Sequence, residues 1–265
     1  MSNWLGAAGA IIAAIDRNDF AETLSNGLKE IAPIDFTVVF GYLGSARPLD
    51  LYDDFPKGKR KIMVEDYQEG PYLLDPFYLA SVTSVEPGLY RLRDLAPDRF
   101  YQGEYFRNYY VQTGLAEEIC YIIDLPENAT VCLSLMRAQK AFSAKEFREF
   151  GKAWPVVSEV CRKNWLSLAG KFDPKSSGDR RAGRAVNIDE AFEKFDEGLL
   201  TPREKEVVEF TLKGHSADAV GRILGIAPGT VRIHRRNIYS KLRIRSQGEL
   251  FSRFIDALLG PGAEK

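Results

Sequence analysis

The chain has 265 residues, of which 45% are hydrophobic and 28% are charged, and its formal net charge is −1. This length predicts one or two domains, and the composition excludes a disordered chain. No apolar stretch approaches the ~20 residues that a bilayer crossing needs, and the first residues lack the basic start of a secretory signal. We therefore expect a cytoplasmic protein without a membrane segment.

Histidine and cysteine usage limits the chemistry that the chain can perform. Both histidines, His215 and His234, lie near the C-terminus, so residues 1–214 contain none. This excludes a histidine base or a histidine metal site from most of the chain. The three cysteines match no metal spacing and fit a reducing compartment. The sequence thus predicts no catalytic residue, no metal and no cofactor, and we expect a protein that is not an enzyme.

The N-terminal part begins with helical spacing and continues as strands. Apolar residues before Pro33 predict one or two amphipathic helices. Residues 36–43 are rich in β-branched and aromatic side chains, which predicts a strand, and residues 48–52 are its expected hairpin partner. A phosphoacceptor receiver domain is excluded, because such a domain begins with a strand that leads to paired acidic residues.

Further strands are expected over residues 88–92, 118–125 and 130–137, and the last two flank a turn at residues 126–129. Cys120 and Cys132 lie in these strands, where we expect small core side chains. A capping box at residues 143–146 predicts a helix that reaches about Leu168. The order of elements predicts an α+β protein whose N-terminal α/β/α domain has a central antiparallel sheet.

Aromatic residues are concentrated in one segment of this domain. Residues 67–110 contain eleven tyrosines and phenylalanines. Tyrosine combines an apolar face with a polar tip, which suits a pocket for an organic ligand. Packing in the core is the alternative for each of these side chains. The cluster therefore predicts either a small-molecule pocket or a core built from tyrosines.

A composition change divides the chain. Residues 171–187 combine Pro, Gly, Ser and charged residues with almost no large apolar side chain. Such a stretch cannot bury enough surface to order itself, which predicts a linker. We place this linker at residues 171–189, between an N-terminal domain of residues 1–170 and a C-terminal domain of residues 190–265.

The C-terminal domain begins with clear helix-start signals. Thr201 and Glu204 form a capping box, and Ser216 caps the next helix. A tight turn at Gly225 then leads to a helix over residues 228–242. Two short helices that are joined through a glycine turn, the second of them basic, are typical of a helix-turn-helix unit.

The second of these helices has the charge of a polyanion-binding surface. Residues 222–245 contain seven basic residues and no acidic one. A helical wheel places Val231, Ile238 and Leu242 in a buried stripe. The expected DNA contacts are Arg232 and Arg236 on base edges, Ile233 on the same exposed side, and Thr230, Arg235, Lys241 and Arg245 on phosphates. His234 and Asn237 are expected mainly to hold the helix against its neighbours.

These residues resemble the LuxR-type DNA-binding domain, which is also called LuxR/NarL or FixJ-like. The matching residues are Leu200, Thr201, Pro202, Arg203, Glu204, Val207, Gly214, Ser216, Leu224, Ile226, Thr230, Val231, Arg232, His234, Asn237, Ile238, Lys241, Leu242 and Glu249. The resemblance implies a four-helix domain whose third helix enters the major groove and whose fourth helix supports dimerisation. Ala219, Gly221, Ala227 and Gln247 depart from the family pattern, and Ala227 lacks the side chain that would cap the third helix.

The fourth helix is expected within residues 246–259. Its apolar stripe consists of Leu250, Phe254, Ile255 and Leu258. This stripe fits a two-fold contact in a homodimer, packing on its own domain, or both at once.

Residues 67–76 together with Tyr90 are similar to the core of acyl-homoserine-lactone-binding domains, in which a Tyr, an Asp-Pro pair and a later aromatic residue line the pocket. Tyr90 stands where a Trp is usual, so we expect a GAF-like or autoinducer-binding-type sensor with a different ligand or none. The candidate ligand contacts are Tyr67, Tyr72, Asp75 and Tyr90. Asp75 is expected either to accept a hydrogen bond from a ligand amide or amine, or to cap a helix.

The sequence as a whole predicts a one-component, sequence-specific DNA-binding transcription regulator. In the favoured interpretation, a small organic effector in the N-terminal domain controls a homodimer on double-stranded operator DNA. The alternative keeps the DNA-binding half and makes the N-terminal domain a ligand-free module for dimerisation or protein interaction. An enzyme fused to a DNA-binding domain is a third and weaker hypothesis.

Overall fold

The sheet at the centre of the N-terminal region is built from strands β1 Phe36–Leu43, β2 Leu49–Asp53, β3 Gly88–Arg91, β4 Glu117–Asp124 and β5 Ala129–Arg137. The computed structural model describes residues 4–83, 85–111, 114–172, 188–196 and 198–259. Within these ranges the strands form one antiparallel sheet in the order β2-β1-β5-β4-β3. The expected strands and both expected hairpins are confirmed.

The helices of the same region are α1 Trp4–Ala13, α2 Phe20–Lys29, α3 Lys57–Arg60, α4 Pro76–Val82, α5 Leu92–Leu95, α6 Glu104–Phe106 and α7 Ala144–Asn164. Wider π-type turns continue α3 over Lys61–Asp66 and α6 over Arg107–Val111. α7 begins at the expected capping box but ends before Leu168, because Trp165 leaves helical geometry and packs its ring edge-on against Phe20. None of the helices in the described ranges has the length and apolar character that a bilayer crossing requires.

Alternation along β1, β4 and β5 gives the sheet two different faces. Val39, Tyr121 and Leu133 point to one face, where they form a core with α1, α2 and α7. Phe40 and Met136 point to the opposite face. Residues 57–83 and 85–111, which we call the irregular segment, cover this second face with short helices and turns. The expected α/β/α layering is therefore confirmed, with one regular and one irregular helical layer.

The C-terminal region is helical throughout its regular structure. Its helices are α8 Ile188–Lys194, α9 Pro202–Leu212, α10 Ala217–Leu224, α11 Pro228–Leu242 and α12 Gln247–Leu259. The Thr201 capping box opens α9, Ser216 caps α10, and Gly225 ends α10 in a left-handed conformation with φ +66°. Ala227 supplies no cap for α11. The expected helix-turn-helix is confirmed, whereas residues 173–187 of the expected linker lie outside the described ranges.

The helical C-terminal region packs directly on the irregular segment, which the division into two domains did not anticipate. The backbone N–H of Arg99 donates to the Gly214 carbonyl at 2.9 Å, and the Ser216 N–H donates to Asp98 Oδ1 at 2.9 Å. Gly214 has φ +97°, and a Cβ at this position would lie 2.9 Å from Phe100 Cα. A glycine is thus required both by the turn and by the close approach of the two backbones. A single apolar cluster continues across this contact.

The apolar stripe of α12 is covered by its own chain. Leu250 and Phe254 are buried, and the Phe254 ring stacks on Phe192 at a centroid distance of 4.5 Å. Leu258 packs over Gly70 of the irregular segment. The structure therefore shows that this stripe packs on its own chain, while Ile255 and Leu258 stay half-buried.

Gly221, one of the departures from the family pattern, provides a test of the helix-turn-helix packing. A Cβ at this position would lie 2.7 Å from the Ile226 carbonyl oxygen, so Gly221→Ala forces the turn apart. We expect the free energy of unfolding to fall by about 1–3 kcal/mol in urea titrations followed by circular dichroism. Gly229→Ala is the matched control, because no atom lies within 4 Å of the added Cβ. Equal stability of the two variants would contradict the close approach.

Candidate functional site

A cavity of about 20 Å³ lies between the sheet and the irregular segment, which is room for about one water molecule. The strands contribute Val38, Phe40, Tyr42, Glu118, Cys132, Ser134 and Met136 to its lining. The irregular segment contributes Met63, Tyr67, Asp75, Phe77, Tyr105, Tyr109 and Tyr110. The aromatic cluster is thus both a tyrosine-rich core and the wall of a small cavity.

Asp75 combines the two roles that the sequence left open. It precedes α4, and its Oδ1 accepts the Phe77 N–H at 2.8 Å, which caps the helix. Its Oδ2 accepts the Tyr67 hydroxyl at 2.7 Å, and the Tyr67 oxygen lies 2.7 Å from the Tyr42 hydroxyl. Burial raises the pKa of Asp75 to about 6, although these hydrogen bonds oppose the rise. The two tyrosines therefore form a chain of hydroxyls that ends on the carboxyl group in the cavity wall.

Glu118 is a second carboxyl group in the wall, and the sequence analysis missed it. It lies in β4, is only 4% exposed, and its Oε2 accepts the Tyr110 hydroxyl at 2.5 Å. Burial, reinforced by the nearby charge of Asp75, raises the pKa of Glu118 to about 8. The alternation of the strand was the available signal, since Glu118 shares a face with Cys120 and Ile122.

The other two expected ligand contacts do not line the cavity. Tyr72 is buried, and its ring packs edge-on against Tyr78 at 5.0 Å. Tyr90 pairs with Cys120 in the edge strand β3, and its hydroxyl donates to the Glu86 carbonyl at 2.6 Å. The cavity therefore brings together Tyr67 and Asp75 but neither Tyr72 nor Tyr90. Tyr90 lies outside the cavity because of the strand order, since β3 is an edge strand and the cavity is lined by β1, β4 and β5.

The cysteines are structural. Cys120, Cys132 and Cys161 are buried and carry no disulfide, and burial raises the pKa of the Cys120 and Cys161 thiols. This excludes ready formation of a reactive thiolate at those two positions. In the part of the chain that the structure describes, no group of His, Cys, Asp and Glu residues could hold a metal ion.

Helix α11 presents a basic surface. Val231, Ile238 and Leu242 are its buried residues, as expected from the helical wheel. The exposed residues of the expected DNA contacts are Thr230, Arg232, Ile233, Arg236, Lys241 and Arg245. Asn237, which we expected to pack against neighbouring helices, is exposed as well, whereas His234 is half-buried. The exposed side of α11 thus combines guanidinium groups with one amide and one large apolar side chain.

Two of the expected phosphate contacts have partners inside the protein. The Arg235 guanidinium is half-buried and donates to Thr211 Oγ1 at 3.1 Å and to the His215 carbonyl at 3.0 Å. Lys241 Nζ lies 2.6 Å from Glu204 Oε2. Both side chains therefore fix α11 on α9 and on the turn that follows it. The sequence could not reveal these partners, because they lie 20 to 37 positions away.

Comparisons with known proteins agree with this arrangement. Residues 198–254 match the model of the luxR family of bacterial regulatory proteins. An HTH-type transcriptional regulator in the exeN 3′ region of Aeromonas salmonicida is 31% identical over 187 residues, covering 70% of this chain and 95% of that protein. UhpA of Escherichia coli is 37% identical over 57 residues, covering 22% of this chain and 29% of its own.

A solved structure also resembles a large part of the fold. The VqsR LBD domain of Pseudomonas aeruginosa is 28% identical, with a TM-score of 0.54, and the match covers 62% of this chain and 97% of that domain. This share exceeds the length of residues 198–254, so the likeness extends beyond the helix-turn-helix.

The two buried carboxyl groups predict a specific pH dependence of stability. Because the pKa values of Asp75 and Glu118 are raised in the folded protein, the native state holds protons that the unfolded chain releases. The free energy of unfolding should therefore fall as the pH rises from about 4.5 to about 8. In Glu118→Gln this fall should be smaller in urea titrations across that range. Exposed Glu30→Gln is the control, and an unchanged slope in Glu118→Gln would contradict the burial of an ionisable group.

Proposed function

Because the chain belongs to the LuxR family of bacterial regulatory proteins, we propose that it is a one-component, sequence-specific DNA-binding transcription regulator controlled by a small molecule. The observation that carries the DNA-binding half is the exposed basic side of α11. The enclosed cavity beneath the irregular segment carries the control by a ligand. The proposal includes no catalytic role, and its DNA target places the protein's action in the bacterial cytoplasm.

In this proposal α11 enters the major groove. Arg232 and Arg236 contact base edges, where a guanidinium pairs best with guanine, and Ile233 contributes apolar contact on the same side. Thr230 near the start of the helix and Arg245 after its end bind phosphates, which fixes the position of the helix on the duplex. Arg235 and Lys241 act on phosphates only if they exchange their partners inside the protein. We therefore assign them first to the orientation of α11.

The irregular segment is the proposed route from the cavity to the helix-turn-helix. Tyr105 and Tyr110 line the cavity, whereas Asp98 and Phe100, a few residues earlier, contact the turn between α9 and α10. A ligand that displaces the tyrosines shifts a segment on which the DNA-binding helices rest. Binding at the two sites is then coupled, and the coupling acts in both directions.

A ligand-free module is the second candidate function for the N-terminal region. The observation that favours it is the size of the cavity, which admits about one water molecule. In that case the region serves dimerisation or protein interaction. In either case we propose that the protein binds its operator as a homodimer. The two-fold contact then lies outside the buried part of the α12 stripe.

Replacement of Arg232 tests the assignment of α11. Arg232→Ala should cost about 1–3 kcal/mol of discrimination between an operator and unrelated DNA, because the pairing with a base edge is lost. The operator is first selected from a random duplex library, and affinities are then measured by fluorescence anisotropy at fixed salt. Lys152→Ala is the control, since that side chain is exposed on α7 and far from the helix-turn-helix. Undiminished discrimination in Arg232→Ala would contradict the assignment.

Replacement of Asp98 tests the route between the two sites. DNA binding should change the rate of amide hydrogen exchange in residues 98–111 of the wild-type protein, because the coupling is reciprocal. Asp98→Ala removes the acceptor for the Ser216 N–H and should reduce that change without abolishing DNA binding. Glu149→Ala on the opposite helical layer is the control. An amide hydrogen exchange rate in residues 98–111 that does not change when DNA binds would contradict the route.

A further inference from the structure

The ionisable groups of the cavity wall are unevenly distributed. Asp75 and Glu118 are two carboxyl groups, and both are more than nine-tenths buried. The remaining ionisable side chains of the wall are tyrosines and one cysteine, and none of the lining residues is Lys, Arg or His. A cavity that holds two acids and no base has no positive charge of its own to balance them. Burial of such acids is costly unless they stay protonated or gain a cation.

The hydrogen bonds of the two acids do not supply the missing positive charge. Asp75 and Glu118 accept hydrogen bonds from Tyr67 and Tyr110, which are neutral donors. Such donors satisfy oxygen lone pairs but bring no net charge. The two carboxyl groups interact electrostatically, since the charge of Asp75 disfavours ionisation of Glu118. A donor that carries a positive charge would supply the charge that both carboxyl groups lack.

The rest of the wall also suits a cation. Tyrosine and phenylalanine rings from the sheet and from the irregular segment surround the carboxyl groups, and aromatic faces attract ammonium groups. Tyr105 is 3% exposed and lines the cavity, yet its hydroxyl has no hydrogen-bond partner among the described residues. The Tyr105 hydroxyl offers a further acceptor to a ligand atom in the cavity.

We propose that the cavity binds an organic ammonium ion, with its positively charged nitrogen between Asp75 and Glu118 and close to the Tyr105 hydroxyl. This inference rests on the proposed function, since it names the chemical class of the effector. Asp75 alone serves a neutral amide donor equally well. Glu118 is the residue that distinguishes a cation from a neutral donor, because its carboxylate adds a second negative charge beside Asp75. The cavity admits about one water molecule, so the rest of the molecule requires side chains of the wall to move apart.

Binding of an ammonium ion is linked to protons at Glu118. The titratable groups that interact with Glu118 or line the cavity with it are Asp75, Tyr42, Tyr67, Tyr101, Tyr105, Tyr109, Tyr110, Cys120 and Cys132. Of these, Asp75 is the one that titrates near neutral pH, at a pKa of about 6. Glu118, with a pKa of about 8, must release its proton to receive the cation. Affinity for an amine that stays protonated should therefore rise as the pH increases from 6 towards 8.

The test uses the full-length chain and two matched pairs of probes, n-butylamine with n-butanol and benzylamine with benzyl alcohol. Isothermal titration calorimetry at pH 8 should give an affinity for each amine about tenfold or more above that for its alcohol. Glu118→Gln should remove most of this preference and its rise with pH, and should leave the alcohols unaffected. Glutamine replaces a carboxyl that is largely protonated at neutral pH, so the variant retains the fold. Glu30→Gln is the control for an exposed acid.

Two results would overturn the inference. The first is equal affinity for amines and alcohols, and the second is a preference for amines that survives in Glu118→Gln. A further probe, the neutral amide N-butanoyl-homoserine lactone, shows whether only the ammonium inference fails or the proposed control by a small molecule fails as well. If the lactone binds and the amines do not, control by a small molecule stands while the cation is excluded. If no probe binds, both fail, and the ligand-free module is favoured.

Discussion

The antiparallel register of β1, β5 and β4 is the constraint on which the other features depend. Because neighbouring side chains alternate between the faces, each strand contributes to two different environments at once. Val39 and Leu133 complete an apolar core under regular helices, while Phe40 and Cys132 face the cavity. A slip of one residue would exchange the two sets and place Glu118 in the apolar core. Glu118 thus faces the cavity because the opposite face fixes the register.

The irregular segment follows from what this second face contains. A regular amphipathic helix buries an apolar stripe, whereas this face carries the Glu118 carboxyl group, and the covering segment itself adds the Asp75 carboxyl group. Both groups need hydrogen-bond donors. Short helices and turns bring Tyr67 and Tyr110 to these groups from different directions. The same segment presents Asp98 and Phe100 to the helix-turn-helix. The irregular segment therefore does two things at once. It provides hydrogen-bond donors to the buried acids, and it contacts the DNA-binding helices.

Local patterns made much of this structure predictable. The capping boxes, the hairpin turns and the basic helix are encoded by residues a few positions apart, and each was found where expected. Features that depend on distant partners were not found from the sequence. The Arg235 contact with the His215 carbonyl and the packing of α12 on the irregular segment require knowledge of the tertiary fold. Glu118 was predictable only in part. Strand alternation puts it on a core face, but the sequence does not reveal that Tyr110 is its hydrogen-bond partner.

Under the proposed control by a small molecule, the order of the layers would affect the timing of the signal as well as its strength. The cavity lies beneath the irregular segment, and the helix-turn-helix packs on that same segment. If the cover closes over a bound molecule, that molecule leaves only after part of the cover has moved. Its residence time is then set by the opening rate of the protein rather than by the strength of its own contacts. Such a regulator would then stay in its ligand-bound state for some time after the free compound had disappeared from the cell.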